Sequence, residues 1–269
     1  MQARSLLFDL WGDYIQHVGG EARSGALTRY LAEFGISEPA LRQALSRMTR
    51  QGWLQTRRVA GRSCYSLTER GKRRMAEACR RVYNPVDVPW DGHWRMLVYS
   101  IPEAMRSIRD DLRKELAWTG FACLAPGTWI SPNPLEEALA ELVRRYDLTP
   151  HITMFTAAHT GPESAQNLVR RCWDLHAITA GYDRFIAHWQ PRMEQFRDLP
   201  DDRCFVEKIE LVHDYRKFLF VDPGLPRELL PEGWRGADAR RLFQEYYSLL
   251  APGAGRFMDA AFESIQEGV

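Results

Sequence analysis

The sequence predicts an α+β protein in three blocks. A winged helix-turn-helix is expected over residues 1–84, a ferredoxin-like βαββαβ unit over residues 90–161, and a mainly helical region over residues 162–269. Three observations lead there. The first block reads helix, helix, helix, hairpin, helix. The second alternates strand-like and helical runs. Between them, Pro85 and Pro89 bracket a connector that no helix crosses intact. With 269 residues, 45% of them hydrophobic and nine of them Trp, the chain has ample material for more than one core.

In the first block, Leu6, Leu7, Leu10, Trp11, Tyr14 and Ile15 recur at helical spacing over Arg4–Gln16, and Gly19-Gly20 stops that run. A short helix over Gly25–Phe34 places Leu27, Tyr30, Leu31 and Phe34 on one face and ends at Gly35. Ser37 caps a third helix with Pro39 in its first turn, Leu41, Ala44, Leu45 and Met48 as its apolar stripe, and Gly52 closing it. Two strand-like runs, 53–59 and 64–67, flank Ala60-Gly61-Arg62-Ser63 as a hairpin. Thr68 then caps a helix from Glu69 to about Val82 that carries Lys72, Arg73, Arg74, Arg80 and Arg81.

The second block opens with an apolar strand over Trp94–Ile101, followed by a helix from Pro102 to about Thr119. Phe121–Leu124 and Thr128–Ser131 read as short strands, Pro134–Tyr146 as a helix and His151–Phe155 as a last strand. The third block is expected to hold two long helices, Glu163–Thr179 and Tyr182–Arg197, or one interrupted at Gly181. A helix over Phe205–Phe220 follows, and the last two are Ala237–Leu250 and Arg256–Gln266.

A formal net charge of +1 conceals an asymmetry. Residues 1–89 hold 15 Lys/Arg against 8 Asp/Glu, a net of +7, while the remainder holds 21 against 27, a net of −6. A basic first third on an acidic body points to a polyanionic partner for that third alone. No apolar run approaches the roughly 20 residues that span a bilayer, and the start lacks a signal-peptide profile. Five cysteines, far apart and without a C-x-x-C pair, support neither a zinc site nor a disulfide framework, so a reduced, cytoplasmic protein is expected.

The third helix carries the sharpest chemistry. With its stripe packed inward, Arg42, Gln43, Ser46, Arg47 and Arg50 project outward or flank it, and Ser37 stands at its start. Arg pairs bidentately with guanine O6/N7, Gln with adenine N6/N7, and Ser with phosphate or base edges. The hairpin places Arg58, Arg62 and Ser63 on or beside a DNA backbone. The competing reading of this cluster is a solvated basic face.

These residues also carry a resemblance. Ser5-Leu6-Leu7-Phe8-Asp9-Leu10-Trp11-Gly12-Asp13-Tyr14, the run Leu41-Arg42-Gln43-Ala44-Leu45-Ser46-Arg47-Met48, and Gly52-Trp53-Leu54 resemble the PaaX family, repressors of phenylacetate catabolism. The likeness continues through Thr128-Trp129-Ile130-Ser131-Pro132, His213-Asp214-Tyr215-Arg216-Lys217-Phe218, Leu229-Leu230-Pro231 and Trp234, and so spans essentially the whole chain. It implies a homodimeric repressor that binds a double-stranded operator and is not an enzyme, with a Cas2-like middle domain. It further implies release by an aryl-CoA thioester such as phenylacetyl-CoA, with no other cofactor.

Two further groups leave alternatives open. Cas2 nucleases carry an Asp, where it would bind a catalytic metal, at the position of Ser100; with Glu103 and Asp110 nearby, a metal-dependent nuclease is the rival reading. His213, Tyr215, Arg216 and Lys217 would suit a clamp for an anionic thioester, or else a buried His bonded to a carboxylate with the two cations paired to acidic groups. Cys172 and His176, four apart on an expected helix, could bring thiol and imidazole together, although a lone Cys there is more often a small buried hydrophobe.

Overall fold

A computed structural model describes residues 1–59, 61–85 and 87–266. In chain order its elements are α1 (Ala3–Asp13), β1 (Glu21–Arg23), α2 (Ser24–Ala32), α3 (Glu38–Arg50), β2 (Leu54–Val59), β3 (Arg62–Leu67), α4 (Glu69–Tyr83) and β4 (Trp94–Tyr99). Then come α5 (Arg106–Thr119), β5 (Ala122–Ala125), β6 (Thr128–Ser131), α6 (Glu136–Arg145) and β7 (Ile152–Ala157). The remainder is helical: α7 (Ala165–Cys172), α8 (Leu175–Glu194), α9 (Asp201–Tyr215), a 3-10 stretch Arg216–Phe220 and α10 (Gly236–Gln266). The chain divides into two compact units. One joins Met1–Pro85 to Arg184–Lys217 and to the stretch from Ala237 onward; the other takes the middle of the chain through Asp183 together with Phe218–Gly236.

In the first unit, β1, β3 and β2 form an antiparallel sheet in that order, and α3 packs against both α1 and α2. Its local signals act as expected. Ser37 Oγ accepts from the Ala40 amide at 3.5 Å, and Thr68 Oγ1 accepts from the Gly71 amide at 3.1 Å, each relieving an orphan donor of the following helix. Gly52 holds the positive φ (71°) that turns the chain from α3 into β2. The strand β1 is an addition to the expected hairpin: Glu21, Ala22 and Arg23 pair with Ser66, Tyr65 and Cys64. Three residues are too few to express a strand period.

This unit does not bury its apolar faces within residues 1–85. Tyr30 lies tilted and Phe34 edge-on against Phe205 of α9 (ring centroids 5.9 and 5.7 Å), which stacks in turn on Phe257 of α10 at 4.8 Å. Tyr30 OH reaches the Met258 carbonyl at 3.3 Å, and burial pushes that phenol up to about 12. Tyr83 packs at a tilt against Phe243 and Tyr247, and Phe243 lies flat on Tyr215 at 4.1 Å. Helix α10 runs unbroken through Pro252, where the sequence suggested two helices. A Cβ on Gly253 would meet Cys204 Sγ at 2.7 Å, so the glycine permits close approach of α9.

The second unit contains a four-stranded antiparallel sheet in the order β5-β6-β4-β7, the ferredoxin-like order expected for βαββαβ. One face carries the core: Leu97 and Trp129 pack with Leu112 and Leu116 of α5 and with Leu139, Leu142 and Val143 of α6. Arg95, almost fully buried, is neutralised by Asp91 at 2.7 Å and Glu136 at 2.6 Å. The helix break after this sheet falls at Trp173-Asp174, not at Gly181. Trp173 is extended (φ −129°, ψ 138°) and Asp174 caps the next helix by accepting from the Ala177 amide at 2.9 Å, after which α8 passes Gly181 unbroken.

The aromatic junction of the first unit yields a stability test. Phe205→Ala should destabilise the whole chain by about 3–5 kcal/mol. Chemical denaturation followed by far-UV dichroism should show the loss, and an unchanged midpoint would mean that Tyr30 and Phe34 do not depend on α9.

Candidate nucleic-acid interface

Helix α3 separates its residues cleanly. Leu41, Ala44, Leu45 and Met48 are buried, while Arg42, Gln43, Ser46, Arg47 and Arg50 are all exposed. The same five line one open hollow of about 510 Å³ along the helix. Ser37 is exposed at its start, with its hydroxyl engaged as the cap. Arg42 sits 3.3 Å from Glu38, one turn back, an exposed pair of small energetic weight. Arg47 and Arg50 pair with no carboxylate among the described residues.

The hairpin register decides which wing residues share a face. Arg58 lies opposite Ser63 and Val59 opposite Arg62. Strand alternation therefore puts Arg58 and Ser63 on one side and Arg62 on the other, with Arg58 and Arg62 both exposed. Arg57 belongs to the Arg62 side and is engaged: its Nη2 lies 2.5 Å from Glu21 Oε2, and its Nε donates at 2.9 Å to Oε1. That guanidinium holds the Glu21 carboxyl below its ordinary range and ties the wing to β1. The sequence carried no sign of this pairing, because Glu21 and Arg57 meet only once β1 joins the sheet. Arg70 over Trp53 (4.9 Å) and Arg4 over Phe8 (5.8 Å), with Phe8 edge-on to Trp53, were likewise not legible.

Acidic groups of this block are largely consumed. Glu21, Glu38, Glu69 and Glu77 pair with Arg57, Arg42, Lys72 and Arg74. Asp9 and Asp13 are buried. The positive charge at the α3 surface therefore faces little local compensation.

The second candidate group is dispersed. His213 Nδ1 lies 2.8 Å from Asp9 Oδ2, and Arg216 donates to both Asp9 oxygens and, at 2.5 Å, to Ser5 Oγ. Tyr215 is buried against Phe243, and Lys217 pairs with Asp214 at 2.7 Å on the surface. Of the two sequence readings, the geometry matches a histidine bonded to a carboxylate.

Ser100 is exposed just past β4, while Glu103 pairs with Arg109 at 3.0 Å and Asp110 with Arg106 at 4.0 Å. Among the described residues, no three His, Cys, Asp or Glu are grouped to hold a metal. Cys172 ends α7 and His176 belongs to α8, so the expected one-turn relation is broken by Trp173-Asp174, and burial pushes the Cys172 thiol up. No helix among the described residues is long and apolar enough to cross a membrane.

Comparison with known proteins agrees with this architecture. Residues 2–71 match the PaaX-like protein family, residues 87–169 the PaaX protein central Cas2-like domain, and residues 173–260 the PaaX-like protein C-terminal domain. The transcriptional repressor PaaX of Escherichia coli (strain K12) is 33% identical over 268 residues, covering 97% of this chain and 84% of that protein. The solved structure of the uncharacterized protein Rv0674 from Mycobacterium tuberculosis is similar at a TM-score of 0.60 and 28% identity, over 97% of this chain and 98% of that one. Three matched segments in order and this identity over nearly the full length place the chain in the PaaX family, the family of the Escherichia coli transcriptional repressor.

Proposed function

We propose that this chain is a cytoplasmic, DNA-binding transcriptional repressor of an aromatic, phenylacetate-type catabolic pathway. The observation that carries this reading is the outward face of α3. Five exposed side chains, three of them arginines, stand on the helix that a winged fold offers to the major groove, while most acids of the block are paired or buried. Arg42, Gln43, Ser46, Arg47 and Arg50 read base edges and adjacent phosphates, and Ser37, Arg58, Arg62 and Ser63 fix the backbone.

A homodimer would set two such helices in successive major grooves, about 34 Å apart. Strand β7 supports that assembly. It ends its sheet and carries no charge or proline over Ile152–Ala157; Met154 and Phe155 are 43% and 51% exposed, beside the exposed Val98. Monomeric proteins usually blunt such an edge.

The effector in this reading is an aryl-CoA thioester such as phenylacetyl-CoA, acting by its different affinity for operator-matched and unmatched dimer geometries. Lys217 is the exposed cation of the expected clamp, whereas His213 and Arg216 could take an anion only by giving up Asp9.

Duplex selected by the wild-type protein from a random-sequence library serves as the operator. Arg47→Ala and Arg42→Ala should each weaken binding to it about 5- to 100-fold while leaving the oligomeric state unchanged, the range set by loss of one bidentate base contact. Unchanged retardation in both variants removes α3 as the reading helix. Arg62→Ala should instead lower the slope of log affinity against log salt by about 0.9, reporting one neutralised phosphate. Phe155→Asp should convert the dimer to monomer in light scattering, and a persistent dimer places the interface elsewhere. Phenylacetyl-CoA, but not free phenylacetate, should release the retarded duplex; release by neither compound removes the effector assignment.

A further inference from the structure

Helix α1 spends two carboxylates on a face that apolar side chains could fill. Leu6, Leu7, Leu10 and Trp11 are buried there, and so are Asp9 and Asp13. Each acid meets cations of α9 or of the turn that ends it. Asp13 Oδ2 accepts from Lys208 Nζ at 2.8 Å, and Asp13 Oδ1 accepts from Tyr247 OH at 2.6 Å and Tyr83 OH at 3.1 Å. Burial and the Asp13 charge push both phenols upward, so they remain donors. Asp9 accepts from His213 and Arg216, as described. Rising numbers on α1 meet falling numbers on α9, so the two helices run antiparallel.

Buried ion pairs contribute little net stability compared with well-packed apolar residues, yet removing one partner is costly. Their effect is therefore on register. Sliding α1 along α9 by one turn, about 5.4 Å, would carry both acids away from their donors and strand buried charge. An all-leucine face would tolerate that slip. Helix α1 also packs against α3 and α4, so its register on α9 sets where α3 stands in this unit.

We propose that Asp9 and Asp13 are positioning residues that pin α1 on α9 in a single register and thereby hold α3 in the orientation needed to discriminate DNA sequence. The proposal rests on the DNA-binding reading above. Discrimination, rather than affinity as such, is the property at stake. Charge alone drives binding to arbitrary duplex, whereas base readout needs side chains placed to within a fraction of a hydrogen-bond length.

The test compares full-length wild type, Asp9→Asn and Arg216→Lys for binding to the wild-type-selected duplex and to a scrambled duplex, well below each melting temperature. Asp9→Asn keeps the side-chain shape and removes the charge; Arg216→Lys keeps the charge and removes the fork. Both should lose at least tenfold in the ratio of selected to scrambled affinity, with scrambled-duplex affinity within about threefold of wild type. A role in stability alone would lower the melting temperature and leave that ratio intact. Wild-type discrimination in folded Asp9→Asn or in Arg216→Lys overturns the pin, and if Asp9→Asn does not fold, Arg216→Lys decides alone. A wild-type protein that selects no sequence sinks the DNA-binding reading instead.

Discussion

A buried carboxylate must find its donors, and that constraint governs the first compact unit. Asp9 and Asp13 lie four residues apart on one face of α1, and every donor they use comes from elsewhere: Ser5 supports Arg216, while Lys208, His213, Arg216, Tyr83 and Tyr247 supply the bonds. Leaving either acid unpaired would cost about 3–5 kcal/mol, a large fraction of the stability of an ordinary domain. The N-terminal helices, α9 and α10 consequently form one body, with Phe205 as its aromatic centre. The exposed face of α3 belongs to that same body.

The same pairing shapes the electrostatics of α3. In a block with 15 basic and 8 acidic residues, Glu21 takes Arg57 in the sheet, Glu69 and Glu77 take residues of α4, and Asp9 and Asp13 take their cationic partners from outside the block. Arg47 and Arg50 remain on the outward face of α3 beside Gln43 and Ser46. Partner choice by the acids leaves the outward cations for a polyanion.

The second unit obeys a different economy. One sheet face is closed by α5 and α6 over Leu97 and Trp129, while the opposite face keeps Met96 and Val98 near an edge strand bearing Phe155. Arg95 is drawn into this unit's interior beside β6, where two acids hold it.

Much of this was legible locally. The caps at Ser37 and Thr68, the glycine at the end of α3, the apolar stripe Leu41–Met48 and the βαββαβ alternation are signals contained within a few residues, and the chain obeys them. From the stripe alone followed the outward set from Arg42 to Arg50. Tertiary packing decided what local rules could not. It added β1, whose three residues make sense only beside β3; it carried α10 through Pro252, with Gly253 close against α9; and it moved a helix break to Trp173-Asp174. It also brought Asp9 to His213, 204 residues away. A local pattern specifies hydrogen bonds that close within one or two turns. The partner of a buried charge is instead chosen by whichever distant helix comes to lie against it.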